Sequence, residues 1–389
     1  MYLRVTARQV EDSASRRCER RRLPSRRLDK TVLEPKLSAP QAKKHVSVAS
    51  LPKNWYVACR SKELKRGSVR AVVIHGIPMV LFRNRDGQLG AFLDRCPHRN
   101  IPLSQGRVEG DRLQCAYHGW EFATDGRCAH IPGLVAETDA RARNATAFRV
   151  VEQQSYIWVF AEAGVEPSAP PYTIPLLDDD RYSHSHRRAE AEGTLHATIE
   201  NALDVPHTAF LHKGLFRGGE PNEIEVVVRR SPGQVEAEYI GEPRPPGLIG
   251  SLLAPGGGKV KHFDRFLLPS IAQVEYSMGD DTHFLVTSLC TPVSDFFTVL
   301  HAVVSFRLGR VPTSVVKPFL EPLARKIFAQ DARILKLQTN AVKQFGGEQF
   351  VSTEVDVLGP EIWRLMKSAQ GGGGLVEGEN SEKRLRMRV

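Results

Sequence analysis

The sequence predicts an α+β protein: an all-β N-terminal domain, then a domain that joins helices to an antiparallel sheet. Three observations carry this prediction. Short apolar or alternating runs separated by turn signals crowd residues 51–160, longer strand-like runs fill 224–306, and one long amphipathic helix follows over Pro318–Phe345. The expected organisation is a basic, disordered arm over 1–45, a first domain over 46–165, a second over 176–368 and a disordered tail over 369–389.

The chain has 389 residues, 41% of them hydrophobic, enough for a sizeable core. Nowhere does an apolar run approach the ~18–20 residues of a membrane helix, and the N-terminus lacks the apolar centre of a secretory signal. No membrane span is therefore expected, and the expected location is cytoplasmic. The net charge of +10 raises the question of nucleic acid, but residues 1–44 hold 13 Lys+Arg against 5 Asp+Glu and so carry +8 of it. The folded part is close to neutral, and no nucleic-acid partner is expected. Glu11, Asp12 and Glu19 weigh against reading the Arg-rich arm as a transit peptide, because such peptides are poor in acids.

In the first domain the strand-like runs are Val69–Ile74, Met79–Phe82, Leu89–Phe92, Leu113–Ala116 and Tyr156–Phe160. Turn signals such as His75-Gly76, Asp86-Gly87 and Asp125-Gly126 separate them, which describes a small barrel or sandwich. A Pro-rich linker, Glu166–Pro175, closes the domain. In the second, helical residues over Thr194–His212 precede the longer strands, and the C-terminal helix presents Phe319, Leu323, Ile327, Ile334, Leu335 and Val342 as its apolar stripe.

Six cysteines without regular spacing do not make a secreted disulfide framework. Two of them stand in a pattern. Cys96-Pro97-His98 and Cys115-Ala116-Tyr117-His118 are two loops, each offering one thiolate and one imidazole. A Rieske [2Fe–2S] centre needs two Cys on one iron and two His on the other, so one ligand of each kind per loop fits that chemistry. A structural Cys₂His₂ zinc site uses the same residue types, but the single-residue gap between Cys96 and His98 is short for a zinc knuckle.

A second constellation lies in Asn201-Ala202-Leu203-Asp204-Val205-Pro206-His207, with His212 beyond it. Asp204 and His207, at i and i+3, would share one helical face. His212 would lie about 140° further round, so both imidazoles can meet one metal only if the helix ends or bulges. Two imidazoles and one carboxylate on one face of an iron form the facial triad of non-haem Fe(II) oxygenases. Asp295, Asp331, Glu354 and Asp356 are candidates for the third ligand.

The paired loops, with Leu103-Ser104-Gln105-Gly106 and Tyr117-His118-Gly119-Trp120, resemble the Rieske family over roughly residues 51–135. Ile101 and Tyr117 stand where the respiratory-chain members carry a disulfide, so the resemblance is to the oxygenase branch, in particular the vanillate demethylase, ketosteroid hydroxylase and pheophorbide oxygenase group. It implies a terminal oxygenase with a [2Fe–2S] cluster on Cys96, His98, Cys115 and His118 and a mononuclear Fe(II) on His207, His212 and Asp331. It further implies Asp204 as the carboxylate that bridges to a Rieske His of the neighbouring subunit in a homotrimer, and Asn201 as a supporting residue.

A G-x-G-x-x-G fingerprint opening a βαβ unit is missing from the sequence. Electrons are therefore expected from a separate NAD(P)H-dependent reductase, a ferredoxin or both. The Gly256–Lys259 run fails as a phosphate loop, and apolar Leu248–Leu253 suggests a pocket for an apolar aromatic or alicyclic substrate that O₂ would hydroxylate, demethylate or desaturate. The competing expectation is a Rieske electron carrier without oxygenase activity.

Overall fold

The computed structural model describes residues 45–135, 140–213, 222–243, 260–279, 282–308, 313–371 and 381–388, with backbone only over 313–320. The expected N-terminal arm, Leu248–Leu253 and Gly256–Lys259 lie outside the described residues.

The first domain contains ten short strands: β1 (Trp55–Arg60), β2 (Ser68–Ile74), β3 (Ile77–Arg83), β4 (Leu89–Leu93), β5 (Arg107–Glu109), β6 (Arg112–Gln114), β7 (Glu121–Phe122), β8 (Cys128–His130), β9 (Val150–Gln153) and β10 (Tyr156–Phe160). They form three antiparallel sheets, β1-β10-β9, β2-β3-β4 and β5-β6-β7-β8. Strand β10, Tyr-Ile-Trp-Val-Phe, is apolar throughout because both its faces are covered. Ile157 and Val159 pack with Ile74, Met79 and Leu81 inside the domain, while Tyr156 and Trp158 pack with Ile271, Leu289 and Val303 of the next one.

The second domain contains β11 (Ser183–Ala191), α1 (Leu195–Leu203), α2 (His207–Phe210), β12 (Glu223–Ser231), β13 (Gln234–Ile240), β14 (Val260–Leu267), β15 (Ile271–Met278), β16 (Thr282–Ser294), β17 (Phe297–Leu308), α3 (Thr313–Gln344), α4 (Gly359–Gln370) and β18 (Ser381–Arg388). Among the described residues, eight strands make one antiparallel sheet in the order β11-β17-β16-β15-β14-β13-β12-β18. Helices cover one face. Ile199 and Leu203 of α1, Leu335 of α3 and Ile362 and Met366 of α4 share a core with Val226, Ala237 and Phe266 of the sheet. The α+β architecture is the one expected. Among the described residues no helix is long and apolar enough to cross a membrane.

Two expectations need correction. The tail is not wholly disordered: Ser381–Arg388 pairs with β12 along all but its last residue, from Glu223↔Arg388 to Arg230↔Ser381. Its polar composition is that of a charged edge strand, in which Met387 is buried while Arg384 and Arg386 meet Glu225 and Glu223 at 3.1 and 3.4 Å. The long helix starts at Thr313, ahead of Pro318, and Ile334 on its expected core stripe is exposed.

Candidate metal centres

The two Cys/His loops close in the same way. In each, the cysteine N–H donates to the carbonyl five residues on (Cys96 to Ile101, Cys115 to Trp120, both 2.8 Å), and the cysteine carbonyl accepts from the N–H four residues on, that of Asn100 or Gly119. Those fourth residues have φ of 61° and 69°, the left-handed conformation that favours Asn and Gly. Asp94 ties the first loop down by accepting from the Ser104 N–H and hydroxyl at 2.7 and 2.6 Å.

The loops bring the thiols together and the imidazoles together. Cys96 and Cys115 are both buried side by side, and burial, with Cys115 adding to it, pushes the Cys96 thiol up to about 11. The His98 and His118 rings lie outward of them with centroids 4.6 Å apart, and His98 stacks on Trp120 at 4.7 Å and 7°. His98 Nδ1 is buried without a hydrogen-bond partner. Two thiols on one side and two imidazoles on the other, with a ring nitrogen left over, fit a [2Fe–2S] cluster with Cys₂ and His₂ irons.

In the second constellation the helix breaks earlier than expected. Helix α1 ends at Leu203, Asp204 is extended with φ −87° and ψ 106°, and α2 begins at His207. Pro206 contributes, because it has no N–H to continue α1 and its ring would clash with the carbonyl of Ala202 in a continued helix. Asp204 and His207 thus do not share a helical face; they meet across the break, with Asp204 Oδ2 3.4 Å from His207 Nδ1.

Helix α3 supplies the distant carboxylate. His207 Nε2, His212 Nε2 and Asp331 Oδ1 converge, with 3.3 Å between the two nitrogens and 3.7 and 3.0 Å from each to the oxygen. Neighbouring ligands on an ion with bonds of about 2.1 Å lie about 3 Å apart, so these separations suit one shared ion. Asp331 Oδ1 is buried with no donor hydrogen aligned on it. Burial pushes its carboxyl up, against the pull of His212 and His207. Burial would lower His207, but Asp204 and Asp331 outweigh it and hold the imidazole above its ordinary value. A buried carboxylate oxygen without a donor, converging with two imidazoles, fits a facial-triad cation. Asn201, on α1, lies near Asp331 and favours its ionised form. Neither Asp295, Glu354 nor Asp356 belongs to this group.

Two residues at the site gave no indication in the sequence. Gln330 Oε1 lies 2.9 Å from His212 Nδ1. Glu200, one residue before Asn201, is pushed up to about 7 by burial and by Asp204 and Asp356. Both Glu200 and Asp204 line a depression of about 800 Å³ with His207, Tyr239 and Asp356, and exposed Phe210, Phe350 and Val351 line its wall.

Residues 54–158 match the model of the Rieske [2Fe–2S] domain, and residues 192–370 match that of the vanillate O-demethylase oxygenase C-terminal domain. The chain is 26% identical to the chloroplastic protein TIC 55 of Arabidopsis thaliana over 320 residues, 78% of this chain and 56% of that one. It is 31% identical to the oxygenase component of dicamba O-demethylase from Stenotrophomonas maltophilia over 186 residues, 47% and 54% of the two. Its alignments thus span about half the length of these curated relatives. The fold is similar to that of dicamba monooxygenase crystallised with 3,6-dichlorosalicylic acid, with a TM-score of 0.71 at 22% identity, covering 83% of this chain and 98% of that one. With the two domains in tandem, and with donors in each that fit the two metal centres, the chain belongs to the Rieske non-haem iron oxygenases.

Proposed function

We propose that this chain is a terminal oxygenase that hydroxylates, demethylates or desaturates an apolar aromatic or alicyclic small molecule with O₂. The observation that carries the reading is the convergence of His207, His212 and Asp331 in a chain that also holds the paired Cys/His loops. In it, Cys96, Cys115, His98 and His118 hold the [2Fe–2S] cluster, and His207, His212 and Asp331 hold the Fe(II). When bound, the two groups supply one-electron transfer and O₂ activation. The protein's part would be to hold the three donors together in a half-buried site beside the depression.

Asp204 is proposed as the bridge between the centres. Its carboxylate faces His207 on one side and the open depression on the other, so a donor entering from outside can reach it. The proposed entrant is the Rieske tip of a second copy, where Tyr117 and His118 are exposed, in a homotrimer. Phe210 and Val351 at the depression are 85% and 89% exposed, the apolar lip that a partner would cover. Electrons are proposed to come from an NAD(P)H-dependent reductase, a ferredoxin or both. A thiol-reducing compartment suits the cysteine ligands; the cytoplasm is the proposed location, and fluorescence imaging of a tagged chain tests it against a plastid.

The test supplies the loaded protein with electrons from a surrogate reductase and ferredoxin under ¹⁸O₂, with a panel of aromatic and alicyclic compounds carrying methyl and methoxy groups. Hydroxylated product with ¹⁸O, or formaldehyde from a demethylated one, is expected. Cluster reoxidation with no O₂ uptake beyond that of His207→Ala would overturn the reading in favour of an electron carrier.

A further inference from the structure

We propose that Gln330 is a positioning residue of the mononuclear site: its side-chain oxygen fixes which nitrogen of His212 faces the ion. The proposal rests on reading His207, His212 and Asp331 as that site. The His212 side chain is only 2% exposed, so protein groups and not bulk water must serve its ring nitrogens. Nδ1 is 2.9 Å from Gln330 Oε1. An amide oxygen only accepts, so Nδ1 must carry the proton and donate it, and a neutral imidazole then presents a bare lone pair at Nε2. Nε2 is the nitrogen that faces His207 Nε2 at 3.3 Å and Asp331 Oδ1 at 3.0 Å. The opposite tautomer would point an N–H into the place the ion needs.

Gln330 and Asp331 are consecutive on α3, so one turn of that helix grips the His212 ring from both ends, orienting one nitrogen and offering a co-ligand beside the other. Leu335 and Val342, buried further along, anchor the helix to the core. The acceptor is neutral, so it sets the tautomer without adding a negative charge to the one that Asp331 already contributes. A group that acts this way typically changes metal affinity by about 10–100-fold when removed.

The test compares wild type, Gln330→Leu and Gln330→Glu as full chains with the cluster in place and the mononuclear site emptied with a chelator. Co(II) is titrated in anaerobically and followed by its visible absorption, and ¹⁵N NMR of labelled histidine reads the His212 tautomer. Gln330→Leu is expected to bind Co(II) about 10–100-fold more weakly and to lose the pure Nδ1–H tautomer, while Gln330→Glu, which keeps an acceptor oxygen, restores both. An unchanged cluster spectrum in each variant verifies that the fold is intact. Wild-type affinity and tautomer in Gln330→Leu would overturn the proposal and leave the iron-site reading standing. Should the wild type itself bind no Co(II), the iron-site reading would fall and this proposal with it.

Discussion

Two of the histidine–carboxylate clusters in the second domain, that of His262 and that of His207 and His212, differ in whether their polar atoms are satisfied. His262 on β14 is closed. Its Nδ1 lies 2.6 Å from Glu242, its Nε2 lies 3.0 Å from Asp264, and its ring stacks between Tyr239 and Tyr276 at 4.6 and 3.9 Å. Burial alone would lower this imidazole, but Asp264 and Glu242 outweigh it and raise it to about 9. The cluster of His207, His212 and Asp331 is open: three possible ligand atoms converge, and Asp331 Oδ1 is buried without a hydrogen-bond partner. Residue type does not separate the two. The unpartnered Asp331 oxygen does, because a buried acceptor without a donor is costly unless a cation completes it.

The largest effects should fall on the open cluster. His207→Ala is expected to abolish mononuclear iron and reduce turnover to background while leaving the cluster spectrum unchanged, as read by metal analysis and visible absorption. If that variant turned over at the wild-type rate, the site assignment would be wrong. Asp204→Asn should keep both metals yet slow electron delivery on the order of 100-fold, since the amide no longer holds His207 as the carboxylate does. Stopped-flow reoxidation of the cluster measures it, and an unaltered rate would remove Asp204 from the bridging role.

The closed cluster should answer in stability instead. His262→Leu leaves Glu242 and Asp264 buried without their cation, at a cost of about 3–5 kcal/mol in urea unfolding, with iron content preserved. Loss of iron without loss of stability would reverse the assignments of the two clusters.

A smaller effect is expected from pH. A folded-state value of about 9 against an ordinary 6.5 means that the folded protein binds the extra proton more tightly. The stabilisation is complete below about pH 6.5 and is lost as pH rises through about 9, on the order of 3 kcal/mol in all. The His262→Leu profile should be flatter over that window. Metal loading should run the other way, weakening as pH falls and protons compete for the ligand atoms. A stability profile that His262→Leu leaves unchanged would disconnect the buried pair from the pH response.

What could be read beforehand follows from sequence separation. The cluster loops are local, so Cys96-x-His98 and Cys115-x-x-His118 displayed their chemistry directly. The mononuclear site is assembled from Asp204 to His212 and from α3, and residue pattern alone left Asp295, Asp331, Glu354 and Asp356 open as third ligand. Only the resemblance singled out Asp331. Gln330 was invisible because its role depends on the phase of α3 against His212, which tertiary packing sets. His262 and Asp264 stand at i and i+2 on one strand face, a pattern that could have drawn attention, but Glu242 comes from the end of another strand. The C-terminal strand was missed because β18 is an edge strand whose charges pair across to β12, and such a segment has the composition of a solvated tail.

The most direct test of the account is iron and acid-labile sulfide analysis of anaerobically purified protein, with low-temperature EPR after dithionite reduction. About three irons and two sulfides per chain with a Rieske-type signal are predicted, the third iron lost in His207→Ala. Two irons and two sulfides that added Fe(II) cannot raise would contradict it.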